Sequence, residues 1–198
     1  RRLMRTLRFV RFSQAPAIFA AMILSGCGSD SPTKPKPSPP AYSVRSSPAE
    51  VLSNLEIAYS RRDSTETKAL YDSSYVGTSR DLGDPPGTIP LNFTYTDEVA
   101  HVATLARTST ITSAYVNLGP PTSWTRLASN DLSHPEWATI QIAGPSLTIR
   151  VVEGSTEYAA GGTREFLEFL FKPSTPESAS PTDTLWTIVR WNETKAYP

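Results

Sequence analysis

Cys27 is the only cysteine among the 198 residues of the chain, and it stands just after a short apolar segment. That segment runs from Ala15 to Leu24, and five arginines but no acidic residue precede it. A basic leader, an apolar stretch and small residues before a processing point are typical of a secretory signal. The folded part beyond such a signal has no disulfide and no cysteine ligand for a metal, so its stability depends on a hydrophobic core.

Residues 24–27, Leu-Ser-Gly-Cys, resemble the lipobox of bacterial lipoproteins. The resemblance implies cleavage between Gly26 and Cys27 and attachment of a diacylglyceryl group to the Cys27 sulfur, so that membrane lipid is the partner of the acylated cysteine. It also implies a place in the bacterial cell envelope. Gly28 and Ser29 lack the aspartate that retains such proteins at the inner membrane, which favours the outer membrane in a cell with two membranes. An uncleaved membrane-spanning helix would need about 20 apolar residues, roughly twice the number present.

A proline-rich segment follows the cysteine. Five of the nine residues in 32–40 are proline, which favours an extended polyproline II conformation that buries no core. The composition predicts a signal peptide over 1–26, a linker over 27–46 and a folded domain over 47–198. We expect the linker to act as a spacer without persistent hydrogen bonds, and a docking ligand for a partner is the alternative.

Charge and motifs exclude several classes of function. Loss of the leader removes five of the 19 basic residues and none of the 19 acidic ones, which leaves 14 basic residues and a net charge of −5. This charge argues against a nucleic-acid partner, which requires a clustered basic face. The sequence has no glycine-rich phosphate loop and no serine nucleophile elbow, and its two histidines are far apart. We therefore predict no metal and no cofactor.

Three helices are predicted early in the folded part. Ser47 begins the first, because Pro48 and Glu50 complete a capping box with proline at the first helical position. Its apolar face repeats at helical spacing and consists of Val51, Leu52, Leu55, Ala58 and Tyr59. Asp63 begins a second, short helix, and Thr96 is predicted to cap a third.

The rest of the chain predicts strands, because β-branched and aromatic residues alternate with turn residues. The predicted strands cover 75–79, 111–118, 137–142, 147–152, 164–171 and 185–191, with hairpins at Gly144-Pro145 and Gly161-Gly162. The expected class is α+β, with the N-terminal helices packed on a mostly antiparallel sheet.

The last two predicted strands carry bulky residues on both faces. A strict alternation sets Trp186 and Ile188 on one face against Val189 and Trp191 on the other. The second face must then be covered by a helix, a ligand or another subunit, so a homodimer through the sheet is possible.

The sequence resembles the nuclear transport factor 2-like superfamily, which includes SnoaL-like proteins. The similarity lies in Pro-Ala-Glu-Val-Leu at 48–52, in the turn Arg62-Asp63, in Ala-Leu-Tyr at 69–71 and in the final Trp-Thr-Ile at 186–188. It implies a cone-shaped, cystatin-like fold, in which a curved sheet wraps around helices and encloses a pocket. The contents of such pockets differ among members, so the fold does not supply the function.

Candidate site residues fall into two sets. Asp97 and His101 are four residues apart on the third helix, where they are candidates for an acid–base pair. Asp97 and Glu98 also occupy the first helical turn, where acids stabilise the helix dipole without chemistry. A candidate ligand pocket contains Tyr59, Tyr75, Glu168 and Arg190, of which the last two are either paired inside the pocket or part of a solvated rim.

Two classes of function remain. The favoured one is a membrane-tethered lipoprotein whose non-catalytic domain binds a small apolar ligand, an envelope component or a protein, because no convergent acid–base set is visible. The alternative is a SnoaL-like isomerase, cyclase or lyase with an acid–base pair in the cone pocket. A pocket lined by ionisable groups of perturbed pKa would favour the enzyme.

Overall fold

The structure is a computed structural model that describes residues 42–144, 148–160, 165–174 and 184–195. The predicted leader, Cys27 and the two predicted glycine hairpins lie wholly or partly outside the described residues. Among the residues that are described, no helix has the length and apolar character needed to cross a membrane.

The first two helices begin where the sequence predicts. Helix α1 covers Pro48–Arg61, and the Ser47 side chain accepts a hydrogen bond from the Glu50 amide. Helix α2 covers Ser64–Leu70, and its N-cap is Asp63. Arg62 separates the two helices in a left-handed conformation, with φ of 54°. A left-handed residue at this point ends a helix and turns the chain, so α2 packs beside α1.

The predicted cap of the third helix is wrong by two residues. Helix α3 covers Tyr95–Arg107 and its N-cap is Thr94 rather than Thr96. The Asp97 carboxylate accepts hydrogen bonds from the Thr94 amide at 2.8 Å and from the Thr94 hydroxyl at 2.7 Å. A capping box needs an acceptor three residues after the cap. Thr94 has Asp97 at that position, whereas Thr96 would have Val99.

Nine strands are described, and three of them were not predicted. The missed strands are short, and in two of them every residue is exposed, so they lack the burial pattern that marks a strand in sequence. The strands are β1 Tyr71–Asp81, β2 Leu91–Thr94, β3 Ile111–Asn117, β4 Thr125–Ala128, β5 Ala138–Ala143, β6 Thr148–Glu153, β7 Thr156–Ala160, β8 Glu165–Ser174 and β9 Leu185–Lys195. The unpredicted ones are β2, β4 and β7.

The strands form two sheets. The larger has the order β2-β1-β9-β8-β5-β4, and the smaller has the order β3-β6-β7. Only the β1–β9 pair is parallel among the strand pairs that are described. The α+β class with a mostly antiparallel arrangement is therefore confirmed.

One hydrophobic core joins the helices to both sheets. Helix α1 contributes Val51, Leu52 and Leu55, each fully buried, and the larger sheet contributes Phe169 and Phe171. Burial of each such side chain stabilises the fold by about 1.5–3 kcal/mol. We call the opposite face of the larger sheet its outer face. On β8, this face carries Phe166, Glu168 and Leu170.

A β-bulge overturns the predicted faces of the last strand. Phe171 is opposite Ile188 and Leu170 is opposite Arg190, so Val189 is an additional residue on β9. The bulge reverses the alternation, and Trp191 lies opposite Phe169 with ring centroids 4.9 Å apart. The prediction that Trp191 faces away from Ile188 is wrong, because both pack against the main core.

The outer face is covered in part by the chain itself. Val189 forms a second, small buried cluster with Leu170 and Trp137. The loop between β4 and β5 contacts this face, because His134 stacks on Trp137 at a centroid distance of 4.0 Å and Asn130 donates a hydrogen bond to Glu168 at 2.7 Å. A homodimer through the sheet remains a prediction.

Residues 42–46, which the composition assigned to the linker, are bound to the domain. Asn54 is fully buried, and its side chain accepts a hydrogen bond from the Ser43 amide at 2.9 Å and donates one to the Ser43 carbonyl at 2.8 Å. The Trp186 amide donates to the Arg45 carbonyl at 2.9 Å. The expectation of no persistent hydrogen bonds is therefore wrong for these five residues.

We predict that Asn54→Ala detaches residues 42–46 and lowers the free energy of unfolding by about 1–3 kcal/mol, since two hydrogen bonds at a buried site are lost. Urea denaturation measures the loss, and amide hydrogen exchange at Ser43 measures the detachment. Ser43→Ala is the matched control, because Asn54 contacts only the backbone of Ser43. Equal destabilisation by both variants would contradict the role of the Asn54 side chain.

Candidate functional site

Glu98 lies at the centre of a cluster of tyrosines. Its Oε1 atom accepts hydrogen bonds from the hydroxyls of Tyr59 at 3.1 Å and of Tyr71 at 3.4 Å. Tyr75 completes the cluster, because its ring lies edge-on to that of Tyr71 at a centroid distance of 4.7 Å. The three tyrosines are at most 6% exposed. A carboxyl group is thus held inside the protein by aromatic side chains. We call these four residues the Glu98 cluster.

Three elements build the Glu98 cluster. Tyr59 comes from the last turn of α1, and Tyr71 and Tyr75 come from the first half of β1. Glu98 belongs to the first turn of α3, which packs against α2 and β1. The residue as a whole is half-buried, and its carboxyl is turned towards the tyrosines.

The surroundings change the acidity of the whole cluster. Burial raises the pKa of the Glu98 carboxyl, since removal from water disfavours its charged form, while the His101 charge and the two tyrosine hydroxyls act in the opposite direction. Burial also raises the pKa of Tyr59 and of Tyr71 far above the ordinary value, and the nearby Glu98 charge adds to this effect. The tyrosines remain neutral donors, and Glu98 keeps its proton to a higher pH than an exposed glutamate does.

One oxygen of the carboxyl group is free of the protein. Both tyrosine hydroxyls donate to Oε1, whereas Oε2 has no hydrogen-bond partner in the described part of the chain. The hydroxyl of Tyr75 likewise makes no hydrogen bond to a described residue. The Glu98 cluster therefore keeps a carboxyl oxygen and a phenol hydroxyl available to another molecule.

Gly77 leaves room for the Tyr75 side chain beside exposed apolar residues. A Cβ atom at Gly77 would overlap the Tyr75 hydroxyl and would lie 3.5 Å from the Phe93 Cβ, so only glycine leaves room for this ring position. Phe93 and Leu91 pair with Gly77 and Ser79 across the β1–β2 hairpin. They are 36% and 55% exposed. Apolar surface thus runs from solvent to the Glu98 cluster.

The structure does not assemble the predicted acid–base pair. Asp97 is exposed, and its carboxylate is held in the α3 capping box by Thr94, whose amide lowers the pKa of Asp97. His101 is exposed, and its ring lies 6.4 Å from that of Tyr59. Among the described residues no hydrogen bond or ion pair joins Asp97 to His101.

The four candidate pocket residues separate into two pairs. Tyr59 and Tyr75 both belong to the Glu98 cluster. Glu168 and Arg190 lie on the outer face and do not bond to each other, because Glu168 accepts from Gln141 at 2.8 Å and Arg190 donates to the carbonyls of Ser74 and Val189. The idea that Glu168 and Arg190 pair inside a pocket is wrong.

Sequence reasoning assigned Glu98 to the helix dipole and did not single out Tyr71. A signal for Glu98 was present, because Glu98, Val102 and Leu105 follow a spacing of four and three residues along α3. Val102 and Leu105 are the buried residues of that helix. Residues at this spacing share one helical face, so Glu98 faces the core. Tyr71 has no comparable signal, because it lies at the junction of α2 and β1.

A separate hollow of about 70 Å³ lies at the start of α1. It is lined by Ser47, Pro48, Ala49, Arg126, Ala138 and Ile140. Ligand pockets enclose about 300–1,000 Å³, so this hollow is too small to hold a ligand of ordinary size. In the described ranges, no group of three or more histidine, cysteine, aspartate or glutamate side chains is arranged to hold a metal.

Comparison with solved structures gives distant similarities. A nuclear transport factor 2-like protein with a cystatin-like fold from Novosphingobium aromaticivorans is 14% identical, with a TM-score of 0.42 over 74% of this chain and 77% of that one. A protein from Streptomyces avermitilis that is described as a dehydratase of the nuclear transport factor 2-like family is 12% identical to this chain. Its TM-score is 0.44, over 76% of this chain and 94% of that one. ActVI-ORFA from Streptomyces coelicolor is 10% identical, with a TM-score of 0.47 over 74% and 92%. No protein-family model and no curated protein sequence matches the chain.

We predict that stability depends on pH through Glu98. The folded state raises the pKa of Glu98 above its ordinary value of 4.5, so it binds more protons than the unfolded state between the two pKa values. The free energy of unfolding should therefore fall as pH rises from about 4.5 through the folded pKa. Urea denaturation at a series of pH values measures this fall, and Glu98→Gln should abolish it.

Asp97→Asn is the control on the same helical turn, because Asp97 contributes to the pH dependence of stability with the opposite sign. The pKa of Asp97 is lowered in the folded state, so its contribution to stability is present above its unfolded pKa and is lost as pH falls.

Glu98→Ala should lower the free energy of unfolding by about 1–3 kcal/mol at pH 4, since two tyrosine hydroxyls lose their acceptor. An unchanged pH profile in Glu98→Gln would refute a neutral buried Glu98.

Proposed function

We propose that this chain is a lipoprotein of the bacterial cell envelope with a nuclear transport factor 2-like domain. The domain binds a small apolar molecule that carries one polar group, without catalysing a reaction. The lipobox-like residues 24–27 support the anchor, and the helices followed by a mostly antiparallel sheet support the domain.

The observation that carries the ligand proposal is the free Oε2 atom of Glu98. Oε1 accepts from Tyr59 and Tyr71, and Oε2 has no partner among the described residues. In the neutral carboxyl, Oε2 carries the proton and donates it to an acceptor such as a carbonyl or a hydroxyl oxygen. Buried donors of this kind fix the orientation of a ligand, while the apolar walls supply most of the binding energy.

The apolar part of the ligand contacts Phe93 and Leu91. Both side chains lie on the edge strand β2, next to Gly77 and Tyr75. Exposed apolar residues that lead to a polar group are typical of a ligand entrance. The non-catalytic form is favoured because, among the described residues, no hydrogen bond or ion pair joins His101 to Asp97 or to Glu98.

The test uses the full chain and the fluorescent probe 6-propionyl-2-(dimethylamino)naphthalene, an apolar ketone whose emission rises in an apolar site and whose carbonyl oxygen can accept the Glu98 proton. We expect Glu98→Ala to weaken probe binding about tenfold and Glu98→Gln to preserve it, because an amide still presents a donor. Phe93→Ala should also weaken binding. The matched control is Phe166→Ala, because Phe166 is 37% exposed, like Phe93, but lies on the outer face. Equal binding by all four variants would contradict this site.

A second function is favoured by the raised pKa of Glu98. A carboxyl group with a raised pKa can take and return a proton, as in an isomerase, a cyclase or a lyase. Deuterium incorporation from heavy water into 2-cyclohexenone, followed by NMR, tests proton transfer. Loss of incorporation in Glu98→Gln with unchanged probe binding would establish catalysis. Absence of incorporation in the parent chain would support binding alone.

The anchor makes a separate prediction. Cys27→Ser should block lipid attachment and leave the leader uncut, because only the thiol accepts the diacylglyceryl group. Mass spectrometry of the N-terminus and membrane fractionation check this outcome. Ser29→Ala is the control and should be processed as the parent chain is. An unmodified Cys27 in the parent chain, or cleavage elsewhere, would show that residues 24–27 are not a lipobox.

A further inference from the structure

A single row of polar side chains crosses the outer face of the larger sheet. Strand register places one residue of each strand in this row, and each is directly opposite the next. The row, which we call the polar row, consists of Thr125, Gln141, Glu168, Asn192, Thr78 and Asn92. All six residues are polar, whereas the next row on the same face alternates apolar and polar residues and consists of Leu127, Thr139, Leu170, Arg190, Val76 and Thr94.

Glu168 organises the polar row from its centre. Its carboxylate accepts hydrogen bonds from the amide groups of Gln141 at 2.8 Å, Asn130 at 2.7 Å and Asn192 at 3.4 Å. The Thr78 hydroxyl donates to the Asn192 carbonyl oxygen at 2.8 Å. These bonds fix side chains on β5, β8, β9 and β1. The polar row is therefore ordered before any ligand is bound.

The polar row keeps both hydrogen-bond donors and hydrogen-bond acceptors free. The Gln141 and Asn130 side chains each use their NH₂ group towards Glu168, and their carbonyl oxygens have no partner among the described residues. Asn92 and Thr125 are exposed and make no side-chain hydrogen bond within that same set. A ligand for this surface must therefore both donate and accept hydrogen bonds along its length.

Charge and shape narrow the ligand further. The charged residue of the polar row is Glu168, whose carboxylate disfavours a phosphate-rich polymer, and Arg190 in the next row is bonded to the carbonyls of Ser74 and Val189. Phe166 lies two residues from Glu168 on the same face of β8 and is 37% exposed. Its ring can stack on the flat C–H face of a sugar while the polar row bonds the hydroxyls. Neighbouring strands are about 4.8 Å apart, close to the length of one pyranose unit, and six strands span about 24 Å.

We propose that the polar row and Phe166 form a binding surface for a neutral, linear glycan that lies across the strands. This surface is independent of the Glu98 cluster, because it lies on the other face of the sheet. An experiment can therefore refute one of the two sites and leave the other unaffected.

Calorimetric titration of the full chain with chitotetraose tests the proposal, in a detergent without a sugar headgroup. We expect Phe166→Ala and Gln141→Ala each to weaken binding about three- to tenfold, through loss of ring stacking and of one row residue. Phe93→Ala is the matched control and should bind chitotetraose as the parent chain does. Phe93→Ala is expected to weaken binding of the apolar probe, whereas Phe166→Ala is expected to weaken binding of chitotetraose. The two variants therefore distinguish the two sites.

Several outcomes would overturn the glycan surface. One is no heat of binding up to the solubility limit of chitotetraose. Another is equal binding by Phe166→Ala, Gln141→Ala and the parent chain while circular dichroism shows all of them folded. A third is a dimer in sedimentation that Phe166→Ala dissociates, since a second copy of the chain would then occupy the polar row.

Discussion

The parallel pairing of β1 with β9 is the contact on which the rest of the structure depends. It joins Val76 to Arg190 and Asp81 to Lys195 across more than a hundred residues. This pairing places β9 between β1 and β8, so the early helices meet the strands that follow them on one core. It also fixes Tyr71 and Tyr75 beneath α3, and it aligns Thr78 with Asn192. Both candidate surfaces therefore depend on a long-range contact, which forms slowly because a long loop must close first.

Local chemistry explains which parts of this fold could be predicted from sequence. Ser47 and Asp63 begin helices where they were expected, because a capping box is a short-range interaction that the sequence displays in full. Thr94 was missed in favour of Thr96, although the position of Asp97 distinguishes the two. The long buried strands were found within a few residues, while β2, β4 and β7 were not, because their residues owe their conformation to a neighbouring strand.

The functional sites were harder to predict, since they depend on register. The bulge at Val189 reverses the faces of β9 and places Trp191 in the core, and no sequence pattern announces an inserted residue. Tyr59 and Tyr75 were predicted in one pocket and both belong to the Glu98 cluster, but Glu98 itself was assigned to the helix terminus. The spacing of Glu98, Val102 and Leu105 along α3 places Glu98 on the buried face of that helix. The polar row could not be seen, because its residues are far apart in sequence and only strand pairing aligns them.

The Asn54 contact affects the mechanics of the anchor proposed at Cys27. Because Asn54 bonds both backbone groups of Ser43, a force applied through the proposed lipid would act first on α1 and on Trp186. In the proposed lipoprotein, five fewer extended residues shorten the reach of the domain from the bilayer by about 15 Å at about 3.1 Å per residue. A force strong enough to break the two Asn54 bonds would restore this length, so residues 42–46 would lengthen the tether only under load.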